Sequence, residues 1–445
     1  MQRGRRPHLL YVAWGFPPSR GGGVFRALAT ANAFQSAGWD VTVLTADRAV
    51  FLEYTGADEA LEERVHPDIR IVRVPFRWSA QETDVSRYSL LRAASPAIWS
   101  RMRTRLDRLH FPEVAYGPWR PAIERAAHEV HRQRPVDLVI GTANPNVDFT
   151  PGLALHRSHG VPYVMDYRDA WMINIFTGER VHPPGSRAAR WEKQLVGSAQ
   201  EIWFVNAPIR DWHAAEYPSA AERMHVVENG YDEDFVHPVE RRRRPDEPLR
   251  FGYIGTISPR VPVAEFVRGW RHARERSPLV ARATAHLYGH LGYYASVRTE
   301  TAQTLEQARD AGVYYEGPVP KTEVARTYAG FDALLLIMGT GRYVTSGKTY
   351  EYLATGLPMT SVHDPGNATR STLEGHPLWF SCEDLGEKAV SEALIATAEA
   401  AAAADPALRE QALTFAHRYR RENQLGPRIE ALAGTVARRA GTVTV

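Results

Sequence analysis

The stretch FDALLLIMGTGRYVTSGKTYEYLATGLP occupies residues 331–358 and predicts a strand, a glycine-bearing loop and a helix in succession. Its apolar run 332–338 is typical of a buried strand, and a helical pattern follows Ser346. A phosphate-binding P-loop has four residues between its first glycine and its Gly-Lys pair, because loop length fixes where the backbone N–H groups point. Here five residues separate Gly341 from Gly347. The stretch therefore predicts one layer of an α/β sheet with a different kind of loop.

The same alternation of short apolar runs and helical patterns extends along the chain, which indicates parallel α/β layers. We expect two successive doubly wound domains, at residues 1–237 and 249–412, joined by a linker at 238–248 and followed by a helical segment at 413–445. The predicted strands of the first domain are 8–14, 39–46, 69–75, 136–142, 161–167, 201–207 and 224–230, and those of the second are 249–255, 283–289, 312–318, 332–338 and 357–363.

Composition is that of a globular protein, with 445 residues, 44% hydrophobic and 24% charged. The single cysteine, Cys382, excludes an intramolecular disulfide framework. Basic residues precede the apolar run 8–14, but no small-residue cleavage pattern follows it, so we interpret it as a strand and expect a cytoplasmic protein. The arginine run 241–244 lacks an aromatic-rich or zinc-ligand context, so we interpret it as part of the linker and expect no nucleic-acid partner.

The segment 84–110 is basic and partly amphipathic, since it holds six arginines and two aspartates among regularly spaced apolar residues. Two interpretations are open. Such a helix can lie on an anionic membrane or grip an anionic ligand, which would place the protein at the inner face of a membrane. The pattern is more typical of a solvated helix whose apolar stripe packs on the core, and we favour that interpretation.

Ligands of open α/β sheets bind at the carboxyl ends of the strands, so the loops that follow strands are the candidate functional segments. The first such loop carries Gly21, Gly22 and Gly23 ahead of a predicted helix. Consecutive glycines let backbone N–H groups approach a phosphate or sugar oxygen at a helix N-terminus. The spacing is not that of a dinucleotide-binding fingerprint, and a flexible turn without a ligand is the alternative.

Two further loops belong to the second domain. In the first of them Gly255 and Thr256 end a strand, and Arg260 precedes a predicted helix, where its guanidinium could pair with a diphosphate. In the loop quoted above, the helix begins at Ser346 and Gly347. A positive helix end and a lysine in its first turn together make an anion site. The alternatives are a surface arginine and a capped surface helix.

The first turns of that helix also hold Lys348, Thr349 and Glu351. Lys348 and Glu351 are three positions apart and so lie on nearly the same helical face. The carboxylate can accept hydrogen bonds from two vicinal hydroxyls while the lysine meets a phosphate. This pair predicts a nucleoside diphosphate ligand, with its ribose on Glu351.

The chain resembles a GT-B glycosyltransferase, similar to the large retaining family four, or glycogen-synthase-like group. The stretches that carry the resemblance are FPPSRGGGVFR, VMDYRDAW, VVENGYD, FGYIGTIS, YYEGPVP and SGKTYEYLATGLP. The resemblance implies two facing Rossmann-like domains with the C-terminal helix crossing back onto the first. It also implies that Glu351 holds the donor ribose, that Arg260 and Lys348 hold the diphosphate, and that Ser346 and Gly347 lend backbone N–H groups.

The sequence departs from the family at one position, because members carry a first glutamate where this chain has Tyr343. That glutamate normally touches the donor sugar, so the sugar bound here is left open. On the acceptor side we expect Asn144, Asp148 and Trp171 to line the cleft together with Tyr343 and the Gly21–Gly23 loop. Asp169 is the candidate for orienting the acceptor hydroxyl or accepting its proton, and Arg168 accompanies it. The alternative is a structural ion-pair cluster of Asp166, Arg168 and Asp169.

These features predict an enzyme that moves a sugar from a nucleotide-diphosphate sugar to a small-molecule, glycan or lipid-linked acceptor. The sugar nucleotide is a co-substrate, and we expect no cofactor and no metal, since no Asp-x-Asp motif lies in a suitable loop. Retention of anomeric configuration follows from the resemblance alone. A nucleotide-sugar epimerase and a non-catalytic nucleotide-sugar binding protein are the alternatives, and Tyr343 suggests the second of these.

Overall fold

The computed structural model describes residues 5–234, 236–240, 246–292, 299–320, 323–339 and 341–442. The arginine run 241–244 of the predicted linker lies outside the described residues. The chain divides into two compact units, of which the first comprises residues 1–174, 179–228 and 425–445, and the second comprises residues 175–178 and 229–424. The second unit thus begins before the boundary at 237 that we expected from the sequence.

The first unit is built on a parallel sheet that has seven strands within the described residues, in the order β3-β2-β1-β4-β5-β6-β7. Its strands are β1 (His8–Val12), β2 (Asp40–Ala46), β3 (Arg70–Val74), β4 (Leu138–Ala143), β5 (Tyr163–Tyr167), β6 (Glu201–Phe204) and β7 (Met224–Val226). Its helices are α1 (Val24–Ser36), α2 (Arg48–Val50), α3 (Leu90–Ala94), α4 (Pro96–Asp107), α5 (Arg120–Gln133), α6 (Thr150–His159), α7 (Arg187–Ser198) and α8 (Ala207–Glu216).

The second unit repeats this arrangement with a parallel sheet that has six strands in the described part of the chain, in the order β10-β9-β8-β11-β12-β13. Its strands are β8 (Arg250–Ile254), β9 (Thr284–Tyr288), β10 (Val313–Gly317), β11 (Ala333–Ile337), β12 (Met359–Val362) and β13 (Trp379–Ser381). Its helices are α9 (Val263–Arg276), α10 (Pro278–Arg282), α11 (Thr299–Gln307), α12 (Val324–Tyr328), α13 (Gly347–Thr355), α14 (Thr369–Leu373), α15 (Glu387–Ala403), α16 (Pro406–His417) and the start of α17 (Arg421–Thr442).

The central strands are buried on both faces, as expected for a sheet covered by helices on each side. In β11, alternate residues enter two different cores. Leu335 and Ile337 belong to one apolar cluster, and Leu334 and Leu336 belong to another. This two-residue period follows from the pleat of the strand and explains why ALLLIM, residues 333–338, is apolar without interruption.

The end of the chain returns to the first unit. Leu425, Ile429 and Leu432, on one face of α17, belong to the apolar core that β1 and α1 build. Their spacing of four and three residues is that of a helix with one buried side. The C-terminal helix therefore packs on the first unit, in agreement with the fold that the resemblance implies.

Candidate functional site

In each sheet the strand order reverses at one point, between β1 and β4 in the first unit and between β8 and β11 in the second. Ligands of doubly wound folds bind outside the carboxyl ends of the strands at such a point. All the loops that the sequence singled out follow one of these four strands or β5, next to β4.

Helix α13 begins at the carboxyl side of β11 with a side-chain cap. The Ser346 hydroxyl accepts a hydrogen bond from the Lys348 backbone N–H at 3.2 Å. A serine at this position is favoured because it satisfies one of the N–H groups that the first helical turn leaves without an intrahelical partner. The N-terminal end of a helix carries a partial positive charge, so the loop before α13 ends in an environment that favours an anion.

Lys348 and Glu351 meet on the surface of α13, as their spacing predicts. Lys348 Nζ lies 2.8 Å from Glu351 Oε2, and the two side chains are 30% and 33% exposed. The Tyr328 hydroxyl, which reaches over from α12, donates to the same oxygen at 2.9 Å. Burial raises the pKa of Tyr328 well above its ordinary value, so this hydroxyl remains a donor. The carboxylate is thus held in place from two sides, with one face still open to solvent.

Sequence reasoning did not identify Tyr328. It lies on a short helix before β11, 23 positions from Glu351, and no motif marks it. A buried tyrosine in an apolar segment is read as core, and only the fold brings its hydroxyl to the carboxylate.

The loop after β8 is held by backbone contacts. The Gly255 N–H donates to the Tyr288 carbonyl at 2.9 Å, and the Tyr253 hydroxyl donates to the Thr256 carbonyl at 3.1 Å. Further along, Arg260 comes close to the loop after β11, because a Cβ placed on Gly339 would lie 3.0 Å from the Cβ of Arg260. The structure therefore brings Arg260 to the Gly339 end of the loop that leads to α13.

Arg260 is an exposed residue, and its guanidinium lies over the ring of Phe176, at 3.7 Å from the ring centroid. Phe176 is one of the four residues 175–178 that belong to the second unit. The Tyr343 backbone N–H donates to the Ile175 carbonyl in the same segment, at 3.3 Å. Residues 175–178 thus lie beside Arg260 and Tyr343, and no sequence motif predicts that position.

Thr349 contributes differently from its neighbours. Its side chain is fully buried, and its backbone N–H donates to the Ser346 carbonyl at 3.1 Å. Thr349 therefore stabilises the first turn of α13 from its buried side. Ser346, Gly347 and Lys348 are partly or fully exposed.

In the first unit, Arg168 ties the loops after β1, β4 and β5 together. Its Nε donates to the Ala143 carbonyl at 2.5 Å, and its Nη2 donates to the Asn144 carbonyl at 2.8 Å. A Cβ on Gly23, the residue before α1, would lie 1.4 Å from Arg168 Nη1. Gly23 therefore makes room for the guanidinium, whereas a Cβ on Gly22 would meet no atom within 4 Å.

Asp166 does not pair with Arg168, so the structural cluster that we considered for Asp166, Arg168 and Asp169 is wrong in its pairing. Asp166 is fully buried and bonds to Arg26 of α1, with Arg26 Nη2 2.6 Å from Asp166 Oδ1. The Thr142 hydroxyl also donates to Asp166, at 3.0 Å. This buried ion pair fixes α1 on the sheet. The sequence did not predict the role of Arg26, because it lies in a helical pattern and no motif indicates that it contacts Asp166.

Asp169 lies in the loop after β5 and is half-buried. Its Oδ2 accepts a hydrogen bond from Asn144 Nδ2 at 3.0 Å. Burial raises the pKa of Asp169, and the charge of Arg168 acts in the opposite direction. A carboxylate whose pKa is raised is a better proton acceptor than an ordinary one when it is ionised.

Two further carboxyl groups, those of Asp148 and Glu113, accept backbone hydrogen bonds at the carboxyl edge of the first sheet. Asp148 is fully buried and accepts a hydrogen bond from the Trp14 backbone N–H at 2.7 Å, and burial raises its pKa well above the ordinary value. Glu113 accepts from the backbone N–H groups of Asn146 and Val147, both at 3.0 Å. Burial raises the pKa of Glu113 to about 7. Sequence reasoning missed Glu113 because it stands in an irregular segment without periodicity.

Aromatic side chains gather around Trp14, the second residue after β1. The centroid of the Trp14 ring lies 5.4–5.6 Å from those of Phe51, Phe76, Trp78 and Tyr116. Trp171, the predicted cleft residue after β5, stacks on Phe111 with ring centroids 5.1 Å apart. The segment between β3 and α5 is therefore bound to the carboxyl edge of the sheet by its aromatic residues.

Within the described residues, no group of three or more His, Cys, Asp or Glu side chains is arranged to hold a metal ion.

Comparison with known proteins agrees with this architecture. Residues 21–230 match the family model of the glycosyl transferase 4-like domain. No curated protein matches the chain by sequence. Sucrose-phosphate synthase from Thermosynechococcus elongatus is similar in structure, with a TM-score of 0.61 and 14% identity over 99% of this chain and 100% of that one. Anabaena Alr3699/HepE, solved in complex with UDP, gives a TM-score of 0.62 and 14% identity over 96% of this chain and 100% of that one.

A third similar structure is named for another activity. It is a putative UDP-N-acetylglucosamine 2-epimerase from Listeria monocytogenes, with a TM-score of 0.54 and 10% identity over 95% of this chain and 94% of that one. At these identities the structural matches establish the fold, and the match to the family model covers residues 21–230. The chain thus has two Rossmann-like domains of the GT-B fold, and residues 21–230, in the first of them, match a glycosyl transferase 4-like domain.

Proposed function

We propose that this protein is a glycosyltransferase that moves a sugar from a nucleoside diphosphate sugar to a hydroxyl or amine of its acceptor. The observation that carries the proposal is the arrangement at the start of α13. A capped helix N-terminus, a lysine and a carboxylate held by Tyr328 stand together at the switch point of the second sheet. These are the groups that a nucleoside diphosphate requires, since phosphate needs cations and N–H donors and ribose needs an acceptor for its two hydroxyls.

In this proposal, binding of the donor separates Lys348 from Glu351. Lys348 turns to the diphosphate and Glu351 keeps its place on the Tyr328 hydroxyl while it accepts from the ribose. Arg260, which is exposed beside the Gly339 loop, supplies a second cation for the diphosphate. Gly255 and Thr256 contribute backbone at the neighbouring strand end. Tyr343 takes the place of the usual sugar-binding glutamate and presents an aromatic ring in its stead.

Transfer breaks the bond between the anomeric carbon and the β-phosphate oxygen and forms a bond from that carbon to the acceptor oxygen. The leaving diphosphate takes the bonding electron pair, and the acceptor hydroxyl gives up its proton. Arg260, Lys348 and the start of α13 stabilise the negative charge that develops on the leaving group. We propose that configuration is retained and that these groups suffice without a metal ion.

We assign acceptor binding to the first unit. The Asp169 carboxylate, oriented by Asn144, accepts or orients the acceptor proton, and the raised pKa of Asp169 suits that role. Arg168 acts as a positioning residue, because its donors are directed to the carbonyl oxygens of Ala143 and Asn144. In the aromatic group around Trp14, the half-buried Trp78 and Tyr116 supply rings on which sugars or ring systems of an acceptor can stack.

The proposal is tested by incubating the protein with UDP, GDP, ADP and TDP sugars and a panel of acceptors, and by detecting products with mass spectrometry. We expect one donor to release its nucleoside diphosphate in step with formation of a glycosylated acceptor. Asp169→Asn should lower kcat by about 100-fold or more while donor binding is kept. Asp68→Asn, an exposed position in the same unit, is the matched control.

Other outcomes would replace the proposal with a named alternative. An epimerised sugar that forms in the absence of any acceptor would indicate an epimerase, the activity named for the Listeria structure. Donor binding without turnover across the panel would indicate a nucleotide-sugar binding protein.

A further inference from the structure

The helix α4 exposes the apolar side of its amphipathic pattern, so the core-packing interpretation that we favoured from the sequence is wrong for this stripe. Ile98, Met102 and Leu106 follow one another at intervals of four residues and are 53%, 47% and 51% exposed. Leu90 before the helix and Leu109 after it are exposed still further, at 90% and 61%. Side chains spaced by four lie in one row along a helix, so these form a continuous apolar stripe.

The opposite side of α4 packs against the first unit. Asp107 is buried, and its carboxylate pairs with Arg103 at 2.6 Å and accepts the Ala115 backbone N–H at 3.0 Å. Because the helix is anchored through this side, it cannot turn its stripe inward without breaking the buried contacts. The exposure of the stripe is therefore built into the first unit.

Cations flank the stripe. Arg101 and Arg105 precede and follow Met102 on the same side of the helix, and Arg108 continues their row. All three are exposed, and in the described part of the chain none of them has an Asp or Glu carboxylate within ion-pair distance. An apolar stripe bordered by unneutralised arginines is the pattern of a helix that lies in the interface of an anionic bilayer.

We propose that α4 docks the protein on an anionic lipid surface, with the Ile98, Met102 and Leu106 side chains at the level of the headgroups and the three arginines on lipid phosphates. None of the helices in the described ranges is long and apolar enough to cross a membrane. The contact is therefore one of adsorption to the surface.

A second copy of the chain is a poorer occupant. A two-fold interface places the same patch on both partners, so it would gather Arg101, Arg105 and Arg108 of both copies in one interface. Nucleic acid would match the arginines but leave the apolar stripe in water.

The docking helix is joined to the candidate acceptor edge. Directly after α4, Phe111 stacks on Trp171, Glu113 binds the loop after β4 and Tyr116 packs on Trp14. A bilayer contact made by α4 therefore lies in the same unit and the same segment as the acceptor loops. This arrangement fits a lipid-linked acceptor, although vesicle binding itself does not depend on the proposed transfer reaction.

The test is co-sedimentation of the full chain, without donor or acceptor, with vesicles of equal parts phosphatidylglycerol and phosphatidylcholine and with vesicles of phosphatidylcholine alone. We expect binding to the anionic vesicles and at least tenfold less to the neutral ones. Changing Arg101, Arg105 and Arg108 together to Gln should weaken anionic binding on the order of 100-fold, since each basic residue contributes about 1 kcal/mol near such a surface. The matched control changes Arg268, Arg271 and Arg276 on α9 to Gln.

The apolar contribution is tested separately. Changing Ile98, Met102 and Leu106 together to Ser should lower binding to anionic vesicles by about tenfold or more, while thermal unfolding is unchanged because the three side chains are exposed. Equal binding of native protein and both variants would overturn the proposal, as would failure of the native protein to sediment with anionic vesicles. A native dimer, seen by analytical ultracentrifugation, that the Ser variant dissociates would assign the stripe to a second copy instead.

Discussion

At the scale of single residues, the structure shows that several predicted site residues act by holding loops. Arg168 is the clearest case, because the carbonyl oxygens of Ala143 and Asn144 occupy its Nε and Nη2 donors. The sequence motif placed Arg168 at the correct strand end, but a motif cannot tell a ligand contact from a backbone contact. That distinction depends on where the loop after β4 runs, which only the packed fold determines.

Gly23 offers a test of this role. We expect Gly23→Ala to lower the free energy of unfolding by about 1–3 kcal/mol, because the new Cβ displaces the Arg168 guanidinium from its two carbonyl partners. Gly22→Ala is the matched control, since its Cβ meets nothing within 4 Å, and should change stability by less than about 0.5 kcal/mol. Denaturant unfolding of the two variants measures the difference. Equal stabilities would show that Arg168 moves aside without loss.

Glu113 should give the first unit a pH dependence of known sign. Its folded pKa is raised to about 7, so between the unfolded value of 4.5 and pH 7 the folded state binds more protons than the unfolded state. Stability from this group is therefore present below pH 4.5 and falls as pH rises, by up to about 1.4 kcal/mol per pH unit. Glu113→Gln removes the titration.

Denaturant unfolding from pH 4.5 to pH 8 measures this effect as a difference between variants. We expect the native protein to lose stability relative to Glu113→Gln as pH rises across that range. Glu63→Gln, at an exposed position of the same unit, serves as the control for the loss of a surface carboxylate. A native-minus-variant difference that does not change with pH would mean that the Glu113 carboxyl titrates alike in the folded and unfolded chain.

At the scale of elements, the strands of both sheets could be predicted from their apolar runs, and their observed bounds lie within the predicted ones to one or two residues for most strands. The strand β13 was missed, because the three residues Trp379–Ser381 are too short a run to be recognised. The helix α4 was found as a basic amphipathic segment, but its exposed stripe was assigned to the core. Periodicity identifies a helix with two faces, and it does not say which face the rest of the chain covers.

The start of α13 can be tested through its cap. Ser346→Ala removes the hydroxyl that accepts the Lys348 N–H, which should cost about 1 kcal/mol of stability. If the N-terminus of α13 holds the diphosphate, the same change should also weaken donor binding several-fold. Asp405→Ala removes the equivalent cap of α16 and is the matched control. Calorimetric titration should show weaker donor binding for the first variant only, and equal donor affinity in both would separate the cap from the ligand.

At the scale of the whole molecule, the order of loops and strands was the informative part of the sequence. The recurring apolar runs predicted two doubly wound sheets. Each quoted motif is weak alone, but in their order along the chain they carry the resemblance that implied the return of the C-terminal helix to the first unit. The match of residues 21–230 to a glycosyl transferase 4-like domain agrees with that resemblance. The partners of the site residues could not be predicted in the same way, because Arg26, Tyr328 and Glu113 approach their targets from distant elements.

The most direct test of the central claim, a nucleotide-sugar site at α13, is thermal unfolding of the purified protein with a panel of UDP, GDP, ADP and TDP sugars. A ligand present at 100 times its dissociation constant should stabilise the native protein by about 2.7 kcal/mol. Lys348→Ala and Glu351→Ala should each abolish most of that shift, while Glu129→Gln, which breaks another ion pair between residues three apart on α5, should keep it. Stabilisation by one sugar nucleotide that is lost in both α13 variants is the predicted result. An equal shift in native protein and both variants, or none with any sugar nucleotide, would contradict the account.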